Sequence, residues 1–249
     1  MLLLLPPSET KAAGGDGPPL DLDRLSFPEL TRQRDRVRRA LSRLAASPRR
    51  SREVLGLGPR QEQELAFNEQ LLEAPTMPAI ERYTGVLYDS LDVGSMRAAQ
   101  RRRADSRLAI GSALFGIVRA DDPIPAYRLS GSTKLPRLGS LVAVWKPGLE
   151  PVLADLAESQ LVVDLRSGAY RSLAPAGEAV TVRVLSERAD GSRTVVSHAN
   201  KATKGRIARV LAIATTEPRT IQDVAALVEA DGLRVELVDD RSLDVVVDA

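Results

Sequence analysis

Four consecutive leucines, Leu2–Leu5, stand at the head of the chain and run into Pro6-Pro7. An apolar run this short, with no polar residue alternating through it, suits a strand buried on both faces. Such a strand needs neighbours on either side and further layers above and below it. With 249 residues the chain is long enough to supply them. Aromatic residues make up only 3%, so the core has to be built from Leu, Val, Ile and Ala.

The same run is too short for the apolar region of a secretion signal, and it lacks a basic flank. No later stretch approaches the length of a membrane span. Cysteine is absent, which excludes disulfides, a thiol nucleophile and Cys-ligated metal sites. His198 is the one histidine, so a His-rich metal site is disfavoured as well. The expectation is a soluble cytoplasmic monomer with no metal and no cofactor.

Strand-like and helix-like segments interleave. The segment 107–131 has a strand-like start, residues 161–165, 180–185, 233–238 and 243–247 read as strands, and Ala189-Asp190-Gly191-Ser192 reads as a hairpin turn. A helix follows Ser26 and Pro28, with Leu30, Val37, Leu41 and Leu44 as its buried stripe. Arg32, Arg36, Arg39 and Arg43 share another face of it. There is no internal repeat and no clean boundary. The fold class is α+β, or mixed α/β: a single compact domain over residues 1–249 with a central mixed sheet and surrounding helices.

Charge is uneven although the net is only +2. Residues 24–60 hold 11 basic and 3 acidic residues, or +8, whereas residues 217–249 hold 3 basic and 9 acidic, or −6. Such an asymmetry points to one basic face. Within the basic stretch, LGLGPR at residues 55–60 sits between two helical segments, giving a helix–hairpin–helix pattern over residues 51–72. Gly56 and Gly58 would let the turn present backbone N–H groups to a phosphate, and Arg60 would add charge. Arg49, Arg50 and Arg52 lie beside it. A hairpin of this kind grips the backbone of DNA rather than base edges. An ordinary αα-hairpin with a glycine cap would show the same residues.

Other segments offer ligand chemistry. PPSETK follows the buried strand, and Ser8, Thr10 and Lys11 are placed to hold an anion where such strands end. Tyr83 and Tyr88 present two hydroxyls in one short stretch. Arg119, Asp121, Asp122, Tyr127 and Arg128 follow in the block ending at residue 131. In SHANKATKGRIARVL, Lys201, Lys204, Arg206 and Arg209 crowd the start of a helix, where the macrodipole disfavours cations unless an anion sits nearby.

These pieces in this order resemble the YaaA family of bacterial peroxide-stress proteins. The resemblance rests on MLLLLPPSETK, YTGVLYDSL, LAIGSALFGIVRADDPIPAYRLSG, LVVDLRSGAY and SHANKATKGRIAR, and it covers nearly the whole chain. It implies a cytosolic protein that limits free iron and damage under hydrogen peroxide, with a mixed fold unlike the common superfolds. It also implies DNA binding through a helix–hairpin–helix, with Gly56 and Gly58 as the hairpin glycines, and through a positive cleft. Ser8, Lys11, Tyr83, Arg119, Tyr127, Arg128, Lys201, Lys204 and Arg206 would line that cleft.

Two functions follow. One is a non-enzymatic protein that binds duplex DNA without sequence preference. The other is an enzyme acting on a small phosphorylated or nucleobase substrate, with the cleft lysines and tyrosines supplying charge and acid–base groups. An enclosed pocket favours the second and an open groove the first. Direct iron sequestration is a lesser alternative, because it would need carboxylate ligands.

Overall fold

The computed structural model describes residues 1–58, 61–195 and 197–248, with the side chains of residues 197 and 198 left aside. Leu2–Leu5 form β1, and every one of the four side chains is buried. Three helices follow: α1 (Thr31–Ala45), α2 (Pro48–Leu55) and α3 (Gln63–Glu69). Then come β2 (Met77–Pro78), α4 (Ala79–Arg82), α5 (Val86–Leu91) and α6 (Ala98–Arg107). The middle of the chain holds β3 (Leu108–Ser112), β4 (Gly116–Arg119), β5 (Pro123–Ile124), β6 (Lys134–Leu135), β7 (Gly139–Ser140) and α7 (Leu141–Ser159). It closes with β8 (Val162–Asp164), α8 (Gly168–Arg171), β9 (Val180–Glu187), β10 (Arg193–Thr194), α9 (Ser197–Ile213), α10 (Ile221–Ala230), β11 (Arg234–Asp239) and β12 (Ser242–Asp248).

The main sheet runs in the order β11-β12-β9-β8-β1-β3-β4, with β10 paired to β9. From β12 to β3 all neighbours are parallel. β4 and β11 close the two edges antiparallel. β1 is therefore central, as its leucines require: Leu3 pairs with Leu108 on one side and Val163 on the other. One apolar cluster extends from Met1 and Leu2 to Val245, and each fully buried Leu or Val in it contributes about 1.5–3 kcal/mol. Among the described residues, no helix is long and apolar enough to cross a membrane.

α1 buries Val37, Ala40, Leu41 and Leu44 and exposes Arg32, Arg36, Arg39 and Arg43, as the three-and-four spacing demands. It starts at Thr31, after a short 3-10 turn over Pro28–Leu30. Ser26 lies ahead of both, and its N–H and hydroxyl donate to Asp122 Oδ1, at 2.9 and 2.8 Å. The segment around Leu141 and that from Pro151 form one helix, α7, although Pro147 and Pro151 lie inside it. Each proline frees the carbonyl four residues earlier. Those carbonyls belong to Ala143 and Pro147, which are exposed, so water can satisfy them.

Candidate functional site

β1 and β8 are neighbours, but the chain leaves them in opposite directions. The next main-sheet strand after β1 is β3, on one side, and after β8 it is β9, on the other. In open sheets with parallel strands, ligands bind beyond the carboxyl ends of such a pair. A cleft of about 730 Å³ opens at that place. The loop after β1 and the start of α5 form one wall, and the turn after β8 with the start of α9 forms the other; β9 lies between.

Local structure fixes each wall. The β1 loop is tied to the segment before α5: Ala12 N–H donates to Arg82 O and Thr84 N–H to Thr10 O. Ser8 and Thr10 share a hydroxyl hydrogen bond of 3.1 Å, and Thr10 also donates to Thr84 O. On the opposite wall, Arg166 forks onto Asp164 with two bonds of 2.9 Å, and both side chains are buried. The same guanidinium reaches Ala174 O, so the turn carrying Ser167 and Gly168 is stapled.

The cleft is cationic. Lys201, Lys204, Arg171 and Arg183 line it, against one carboxylate, Glu9. Arg183 is neutralised by Asp244 through bonds of 2.6 and 2.7 Å. Among the described residues, no carboxylate pairs with Arg171, Lys201 or Lys204. Lys204 is 8% exposed, and its ammonium donates to Leu165 O at 3.0 Å. Burial, with Arg171 adding to it, draws the Lys204 amine down to about 8.

Lys11 stands behind this wall rather than in it. Its amine donates to Ser8 O at 3.1 Å and lies 4.2 Å from the Tyr127 ring centre and 5.3 Å from that of Tyr83. Burial draws it down to about 8 as well. Beneath it the Tyr127 hydroxyl joins those of Tyr83 and Ser112, each at 2.8 Å. Burial pushes Tyr83 up to about 12. Lys11 thus braces the loop from below while Ser8 faces the cleft.

The remaining expected residues divide. Arg128 pairs with Glu64 at 2.8 Å and approaches Glu9 at 3.7 Å, next to the cleft. Arg119 stands on the edge strand β4, packed over Phe27 and bonded to Ser106 O, and does not reach the cleft. Arg206 turns away onto Asp231, and Arg209 onto Leu91 O and Asp92 O. Helical spacing explains that split of the α9 cations: only Lys201 and Lys204 share the cleft side. Asp122 accepts from Ser26 and from Arg119 N–H, which is a structural use of that carboxylate. Arg171, Tyr170 and Asn200 also line the cleft and were not anticipated. The sequence shows that the first two follow a strand, LVVDL, but not that this strand lies beside β1.

At the hairpin, Gly56 ends α2 with φ +63°, the left-handed conformation that favours glycine. Its N–H returns to Glu53 O, Leu57 N–H to Arg52 O, and Gly58 N–H to Gln61 Oε1. These amides have partners inside the turn, so a phosphate here would meet side chains instead. Arg49, Arg50 and Arg52 are exposed, and Arg52 pairs with Glu62. Pro59, Arg60 and the His198 side chain lie outside the described residues.

The family model for "Peroxide stress protein YaaA" matches residues 1–237. The chain is 50% identical to a UPF0246 protein of Corynebacterium glutamicum, with 95% of each chain covered. It is 49% identical to a UPF0246 protein of Streptomyces coelicolor, covering 92% of this chain and 88% of that one. The match takes in both cleft walls and the hairpin, and on it the chain belongs to the YaaA family of peroxide stress proteins.

Proposed function

We propose that this protein acts in peroxide defence by binding the backbone of duplex DNA along the exposed arginines of α1 and α2. One observation carries the reading. Arg32, Arg36, Arg43, Arg49 and Arg50 are exposed, and among the described residues none of them pairs with a carboxylate. Exposed guanidinium groups match phosphate oxygens, and contacts made to phosphates alone carry no sequence information.

The consequence for iron is electrostatic. A protein that neutralises phosphates expels the counterions condensed on DNA. Divalent iron held there would leave with them, and radicals formed from it and peroxide would arise away from the backbone.

The test is fluorescence anisotropy on a duplex of arbitrary sequence across a salt series. Affinity is expected to fall steeply with salt, and Arg49→Glu with Arg50→Glu to lower the log–log slope by about 2. A double variant that binds like the wild type at every salt concentration overturns the reading.

A further inference from the structure

We propose that the cleft beyond β1 and β8 binds a small phosphorylated molecule carrying an apolar ring, at a site separate from the arginine face. The position is the one where sheets of this kind take ligands, between two strands whose connections diverge. The cleft's volume of about 730 Å³ lies in the range of small-molecule sites, about 300–1,000 Å³.

The anionic end is set by cations from two elements. Lys204 is an ammonium more than nine-tenths buried, held by one backbone carbonyl, with no carboxylate partner among the described residues. An unpaired buried charge is costly, and an anion in the cleft would supply the missing partner. Lys201, one turn earlier on α9, and Arg171, on α8, reach the same space. Glu9, the carboxylate in the lining, lies 3.7 Å from Arg128 and is outnumbered by these three cations. The Ser8 hydroxyl, which accepts from Thr10 N–H and also lines the cleft, can turn its proton to the same anion.

Part of the lining is apolar. Tyr88 lines the cleft with its hydroxyl already donated to Pro6 O, and its ring is stacked on Tyr83 with centres 5.6 Å apart. Leu87, Val182 and Val184 continue this surface. A ligand that were only an anion would leave that wall uncovered. None of the exposed arginines on α1 and α2 belongs to the lining.

The probes are inorganic phosphate and adenosine 5′-monophosphate, titrated calorimetrically into the full chain. Saturable binding is expected for both, tighter for the nucleotide. Lys201→Ala, at an exposed position, should weaken nucleotide binding about tenfold, as loss of one charge-assisted contact does. Arg49→Glu with Arg50→Glu should leave it unchanged while weakening DNA binding, so the two sites fail separately. A second readout needs no variant: the nucleotide should slow acylation of Lys201 and Lys204 but not of the exposed Lys134 and Lys146. The proposal is overturned if the wild type binds neither probe saturably, or if the nucleotide protects all these lysines alike.

Discussion

Gly205 on α9 lies directly against the carbonyl oxygen of Leu87 on α5. A Cβ built on Gly205 would stand 2.2 Å from that oxygen and 2.7 Å from the Ser90 Cβ. The obstacle is backbone, so it cannot swing aside. This approach sets α9 against the opposite cleft wall, with Lys201 and Lys204 in the turn before it. Gly205→Ala is expected to force the helices apart and lose about 1–3 kcal/mol, the usual cost of overpacking. Thermal melts test it, and an unchanged midpoint would show that the two helices are not in contact here.

Arg82 holds the glycine- and proline-rich loop that follows the cleft wall. It is fully buried and donates to the carbonyls of Ile124, Ala12, Gly14 and Pro75, at 2.6 to 3.1 Å. Arg82→Met should strand those acceptors and cost at least about 3 kcal/mol, judged from about 1–3 for each unpaired buried group. Arg82→Lys should recover little, because one ammonium cannot span a fork of diverging carbonyls. Urea unfolding of both variants gives the comparison.

Local pattern made parts of this architecture readable. Leu2–Leu5 announced a buried strand, the turn at residues 189–192 joins β9 to β10, and PPSETK was marked as a strand-end loop. The buried arginines were harder, because in sequence they look like solvated ones. Arg34 shows what was missed: the buried stripe runs from Leu30, just before α1, through Arg34, Val37, Leu41 and Leu44, and Arg34 is its fully buried second member, bonded to Phe115 O and Ile117 O. Arg171 and Tyr170 could be placed only once β8 was known to lie beside β1. That pairing joins residues some 160 apart, and no local spacing encodes it. Arg119 and Arg206 went astray for the same reason, since a cation's direction depends on what its element packs against.

Tyr127 is the middle member of a buried hydroxyl chain, bonded to Tyr83 and Ser112, and its ring lies beneath the Lys11 amine. Tyr127→Phe keeps the ring and removes the link. Both neighbours then lose a partner in a buried setting, so about 1–3 kcal/mol should be lost. Ser112 still accepts from Phe115 N–H, which places Tyr83 as the residue left wanting. Tyr83→Phe with Tyr127→Phe should therefore cost less than the sum of the single changes. Equal sums in a double-mutant cycle would mean that the hydroxyls act independently.

Lys204, which is buried, and Lys11, which is half-buried, set how stability depends on pH. Lys11 and Lys204 are drawn from their ordinary 10.5 down to about 8 by burial. In the unfolded chain both hold their protons up to that ordinary value. Between the two values the unfolded state binds more protons, so stability rises with pH across this window and is lowest, on this account, below about 8. The tyrosines act in the opposite sense. Tyr83 keeps its proton to about 12 when folded, whereas unfolded tyrosine loses it near 10, so stability falls again above that point. Urea midpoints measured from pH 7 to 11 should climb, pass a maximum between about 9 and 10, and decline. Lys204→Met should remove part of the climb and leave the decline. Saturating phosphate should also flatten the climb in the wild type, since an anion beside Lys204 restores its proton. A climb unaltered by both changes would mean that Lys204 is not the group that titrates.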